Sequence, residues 1–139
     1  MSPHVSLPVA TIDASQRLIF ETTEDQDRAW QIGVFYLRAP RSLELDKVRC
    51  FGKGLSFLDS HYRKIPQYGE LEGFISLENN QQTKLALRRH RWDEHYPPEV
   101  ANFGRKLDEI GIGIIREVFR QSGIPKQHWA EASGGYVSG

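Results

Sequence analysis

Sulfur is nearly absent from this chain: one cysteine, Cys50, and one methionine in 139 residues. A lone thiol excludes an internal disulfide framework and fits a reducing compartment. Net charge is absent too, because 18 lysines and arginines cancel 18 aspartates and glutamates. That balance argues against a general nucleic-acid binder, which carries a basic excess, and against a polybasic membrane-surface protein. No apolar run approaches the ~20 residues of a membrane span. The opening MSPHVSLPVATID lacks the basic region and continuous apolar core of a secretory signal. The expectation is a soluble, cytoplasmic protein with no nucleic-acid or membrane partner. Internal repeats and low-complexity tracts are missing as well.

What is present suits a packed fold. Apolar residues make up 39% and aromatics 11%, which excludes a disordered composition. The length allows a real core without metal or disulfide staples, so 1–139 reads as a single α+β domain. Val9–Ile12 and Leu18–Phe20 are short β-rich runs around a polar Asp13-Ala14-Ser15 turn. Thr23, three residues before Gln26, has capping-box spacing, and Gly33 stands where a C-terminal cap belongs, which predicts a short helix between them. Val34–Leu37, closed by Pro40, predicts a buried strand. Ser42 is positioned to cap a second helix over 43–62, whose face Val48, Phe51, Leu55, Leu58 and Tyr62 steps by three and four. Gly52 and Gly54 weaken that helix and predict a backbone packed close against it.

From Ile65 to Pro98 the periodicity fades. This stretch reads as a long loop with a short strand at Gly73–Leu77, and loops of that length are often functional or ordered by a partner. Pro97 and Pro98 then lead into the clearest element, a helix over 99–121. Its apolar face is Val100, Phe103, Leu107, Ile110, Ile114 and Val118, widened by Ile115 and Phe119. Gly111 and Gly113 cut a notch suited to close contact, and Ser122-Gly123 with Pro125 ends the helix. The closing Gly-Gly-Tyr-Val-Ser-Gly looks like the lead-in to a further strand.

Catalytic chemistry is hard to find. His90, Asp93 and His95 crowd into six residues, but neither helical nor strand geometry puts all three on one face, and no metal-ligand spacing fits. A solvated loop is the preferred reading. Lys84, Arg88, Arg89 and Arg91 form a local positive patch that could hold a carboxylate or phosphate, though a solvated face is the simpler account. Cys50 has no base beside it and reads as a buried thiol. Gly52-Lys53-Gly54 and Ser133-Gly134-Gly135 lack the strand–loop–helix setting of a phosphate loop. His61 and His128 are isolated, and both read as surface or packing residues.

The order of these elements resembles a known family. SLPVATIDAS is similar to the LPVIDLS opening of the non-heme Fe(II)/2-oxoglutarate-dependent oxygenases of the isopenicillin N synthase-like group. DRAWQIGVFYLRAP resembles that group's helix-to-strand signature through Trp30 and Gly33. FLDSHYRKIPQYG, LEGFISL and the 99–121 helix with its SGIPKQHW exit resemble the passages that follow. The resemblance covers nearly the whole chain, but only the helical region that precedes the family's double-stranded β-helix barrel. The family's His-x-Asp…His iron ligands and Arg-x-Ser cosubstrate anchor lie on that barrel, so the resemblance implies no catalytic residue and no metal ligand here.

The resemblance thus implies a naturally split or truncated oxidoreductase, a dioxygenase of biosynthesis. In it this chain is the non-catalytic N-terminal half of a heterodimer. A partner chain bearing the barrel would hold Fe(II) and 2-oxoglutarate. This chain would cover the barrel with its helical faces and shape the entrance for a small-molecule substrate, with Phe74, Arg88 and Trp92 as substrate-contacting residues. Alone, it is then expected to fold poorly and to be rescued by the partner. Two alternatives stay open: a self-sufficient α+β interaction module that buries its helical stripes in a homodimer, and a stand-alone enzyme built on His90–His95.

Overall fold

The computed structural model describes residues 6–60, 64–77 and 82–139. The architecture is α+β, with short strands in two small sheets joined and flanked by helices. Contacts divide the chain into two compact units, Met1–Arg41 with Lys106–Gly139, and Ser42–Arg105, where the sequence reading treats 1–139 as one domain. No helix among the described residues is long and apolar enough to cross a membrane.

In the first unit, β1 (Val9–Ile12) and β2 (Leu18–Phe20) pair antiparallel, with Ala10 opposite Phe20. Asp13 makes the turn between them. Its carboxylate accepts the backbone N–H groups of Ser15 at 2.8 Å and Arg17 at 2.9 Å, the local side-chain bond that favours aspartate in turns. Helix α1 (Thr23–Ile32) follows. Its cap is Thr22, one residue earlier than the capping-box spacing predicts, and the Thr22 hydroxyl accepts the Asp25 N–H at 3.1 Å. Gly33 closes the helix in the left-handed region at φ 73°, as expected. β3 (Tyr36–Arg38) lies parallel to β1, giving the order β2-β1-β3. It is not the buried strand expected: it sits at the sheet edge, where Val34 and Tyr36 are exposed.

The same unit holds the second part of α4 (Pro98–Gln121). The glycine notch is used as expected, because a Cβ on Gly113 would stand 3.2 Å from the Gln16 carbonyl and 3.4 Å from Ile12 Cδ1. One turn on, Glu117 is 3% exposed. Its carboxylate pairs with Arg17 from the β1–β2 connection and, at 2.5 Å, with Arg120. Arg120 also lies 5.5 Å over the Trp129 ring. The terminal segment turns back on itself between Ser133 and Val137. After the short helix α5 (Trp129–Ala132), the Ser133 hydroxyl accepts the Val137 N–H at 2.8 Å, and Val137 is fully buried.

The second unit contains α2 (Arg41–Ser60). This helix starts one residue before Ser42, and the predicted Tyr62 lies outside the described residues, as does His61. The 65–98 stretch is not a loop. β4 (Gly73–Leu77) falls where expected, and it pairs antiparallel with β5 (Gln82–Ala86), Phe74 opposite Leu85. A 3-10 turn over Arg89–Arg91 and helix α3 (Trp92–His95) then lead to Pro98, the first residue of α4, a position where proline's missing N–H costs nothing.

Glu117 makes a prediction. Removing the carboxylate frees two arginines that already reach solvent, whereas removing Arg120 leaves a buried carboxylate with Arg17 as its one charged partner among the described residues. Arg120→Ala is expected to destabilise by about 2 kcal/mol, through loss of one charged hydrogen bond to a buried acceptor, and Glu117→Gln by only about 1 kcal/mol. Denaturant titration followed by tryptophan fluorescence measures both; a larger loss for Glu117→Gln contradicts this account.

Candidate functional site

The polar network of the second unit starts from a tight turn. Tyr68 and Gly69 both donate backbone N–H groups to the Glu72 carbonyl, at 2.9 and 3.2 Å. Gly73 follows with φ 119°, and a Cβ there would fall 2.8 Å from both Gln67 Cα and the Pro66 carbonyl. Only glycine lets the chain enter β4 beneath that crossing. The turn aims Glu72 at the segment after β5, where its carboxylate accepts the Arg88 backbone N–H at 2.7 Å and the Arg91 guanidinium at 2.5 Å. Arg91 in turn lies 3.6 Å over the Tyr68 ring, within cation–π range. The Tyr68 hydroxyl shares a 2.6 Å hydrogen bond with His95 Nε2. The hairpin and α3 are thereby joined through one acid.

These bonds hold the Glu72 carboxyl below the usual carboxylate range. The Arg88 backbone N–H is the main cause; burial opposes it, and Arg91 adds a hydrogen bond and an opposite charge.

The histidine cluster is drawn apart by the same geometry. His95 faces Tyr68, Asp93 pairs with Arg105, and His90 is exposed on the 3-10 turn. Among the described residues no three His, Cys, Asp or Glu side chains come together as a metal-holding group. The positive patch does not act as one surface either, because Arg88 and Arg91 both turn toward Glu72.

The predicted substrate-contacting residues do not converge. Phe74 is half-buried on β4. Arg88, 79% exposed, borders an open hollow of about 510 Å³ beside the Gly69–Glu72 turn. Trp92 lines a different cavity of about 290 Å³, together with Phe57, Tyr96 and Cys50. Burial pushes the Cys50 thiol up, which suits an inert thiol better than a nucleophile.

The orientation of α2 differs from the one that its periodicity predicts. Of the predicted face, Val48, Phe51 and Leu55 point outward with Leu45, each 55–66% exposed, whereas Leu58 turns to the cavity. The inward side is a second set, Leu43, Cys50, Gly54 and Phe57, of which Leu43 is buried and the other three line the cavity. Gly54 meets a side chain, Val100 Cγ2 at 3.7 Å, and Gly52 meets nothing within 4 Å, so among the described residues no backbone packs close at either glycine, contrary to the expectation. Strand β5 was also missed, although the alternation of Leu85 and Leu87 with Lys84 and Ala86 is a strand signal.

Two predictions follow from this geometry. Glu72 has a lowered folded-state pKa, so its stabilisation is complete above the ordinary carboxyl value of 4.5 and is lost as pH falls through the lower folded value. Melting the protein between about pH 6 and about pH 2 should show that loss, and Glu72→Gln should lack this component. Gly104 carries the second: a Cβ there would sit 2.8 Å from Trp92 Cζ3. Gly104→Ala must displace the indole, at an expected cost of about 1–3 kcal/mol in a denaturant melt.

Compared with known proteins, the chain matches no family model and no curated sequence.

Proposed function

We propose that this chain is a non-catalytic, partner-binding subunit whose α2 stripe docks on another polypeptide. The observation that carries this is the outward face of α2, where Leu45, Val48, Phe51 and Leu55 stand exposed in a row at helical spacing. Such a contiguous apolar row is the mark of an interaction surface.

The sequence resemblance names the partner in this proposal: a chain bearing an oxygenase barrel, with α2 lying against it. Fe(II) and 2-oxoglutarate would be held by the partner, where they supply oxidative chemistry on a small-molecule substrate. Cytoplasmic localisation belongs to the same proposal. Nothing in the arrangement of His90, Asp93 and His95 favours the stand-alone metal enzyme.

The test uses charge on the stripe. Because Val48 and Leu55 already face solvent, Val48→Asp with Leu55→Asp should change the chain's own stability by no more than about 0.5 kcal/mol per site. The same change should abolish co-purification with a barrel-bearing chain carrying His-x-Asp…His and Arg-x-Ser. Anaerobic calorimetry then reads Fe(II) and 2-oxoglutarate binding in the complex and in the isolated chain. Binding confined to the complex supports the reading; binding by this chain alone overturns it. A defined homodimer that the aspartates dissociate, with no affinity for the barrel chain, establishes the self-sufficient module instead.

A further inference from the structure

We propose that the open-mouthed cavity lined by α2, β5, α3 and the first turns of α4 is a binding site for a small, neutral, apolar or aromatic molecule. It lies wholly within the Ser42–Arg105 unit and has a volume of about 290 Å³. That is near the lower end of ligand pockets, which start at about 300 Å³, and suits a molecule of one or two rings.

Its walls set the chemistry. Phe57, Leu58, Leu85, Trp92, Tyr96 and Phe103 supply most of the lining, and among the described residues no Asp, Glu, Lys, Arg or His takes part. The two wall side chains with strong hydrogen-bond donors already use them: Trp92 Nε1 donates to the Leu87 carbonyl at 2.8 Å, and the Tyr96 hydroxyl donates to the Leu85 carbonyl at 3.1 Å. A charged ligand would therefore lose its hydration and find no partner. An apolar one loses nothing and gains burial.

The space persists because the walls are braced. Tyr96 meets Phe57 edge-on at 6.3 Å and Trp92 at 6.4 Å, while the hydrogen bonds above tie both Trp92 and Tyr96 to the end of the hairpin. Glycine at position 54 leaves room that a side chain would fill, since the nearest atom to a Cβ there is Val100 Cγ2 at 3.7 Å. This site does not depend on the barrel-partner reading, because all its lining comes from this chain.

The single cysteine makes the test specific. Cys50 lines the cavity, so its alkylation by iodoacetamide at fixed alkaline pH reports on that place alone. The full-length chain is titrated with naphthalene, and separately with 2-naphthoate, its charged counterpart. Naphthalene at about ten times its dissociation constant should slow alkylation roughly tenfold, 2-naphthoate should not slow it, and Gly54→Leu should abolish the protection. Should Gly54→Leu not unfold cooperatively, Leu58→Trp takes its place as the filling variant. Three results would each overturn the proposal: no protection by naphthalene up to its solubility limit, equal protection by 2-naphthoate, or protection undiminished in a cooperatively unfolding filled variant. Cys50 protection that grows with protein concentration in the absence of naphthalene also overturns it, because a second chain then occupies the cavity.

Discussion

A helix with apolar residues on two sides can cover only one of them inside a unit as small as Ser42–Arg105. That constraint governs α2. Its inner side meets β5, α3 and the start of α4, and a cavity remains between them. The outer side, Leu45 through Leu55, has no cover from the unit that α2 belongs to. Hydrophobic burial drives folding in proportion to the area removed from water, so the uncovered row is unspent driving force. The reading of this chain as a partner-binding subunit rests there.

Each unit is fastened by one acid that serves two arginines. In the first, Glu117 sits nearly buried between Arg17 and Arg120 and connects α4 to the β1–β2 connection. In the second, Glu72 accepts from the Arg88 backbone and from Arg91, and so ties the hairpin to α3. A buried ion pair adds little net stability over an apolar replacement, yet breaking one is costly. Such pairs fix which segments meet. Here the Glu72 pair fixes the end of the hairpin against which Trp92 and Tyr96 are bonded, and through them the walls of the cavity.

The same network explains why titratable residues clustered in sequence form no catalytic group. His90, Asp93 and His95 are close along the chain, but a 3-10 turn running into one turn of helix spreads them. Tyr68 and Arg105 then engage His95 and Asp93 separately. The polar groups of this unit hold its frame, and among the described residues the cavity at Trp92 is lined without a charged side chain.

Local signals carried much of the fold. The α+β class, the strand pair at Val9–Ile12 and Leu18–Phe20, the Gly33 cap, β4 and the long helix to Gln121 all follow from residues close together in sequence. Capping, turn chemistry and periodicity act over a few residues, so they can be read directly. What only the tertiary structure decided is which face of each element is used. Periodicity marked Val48, Phe51 and Leu55 as a face but could not say whether it turned in or out, because orientation depends on what else competes for the interior. The Leu85 and Leu87 alternation was overlooked in a stretch whose order comes from pairing with β4 and from Glu72 reaching Arg88 sixteen residues away. The cavity at Trp92 was beyond sequence reasoning for the same physical reason: a hollow belongs to no segment, and it exists only once distant ones have packed.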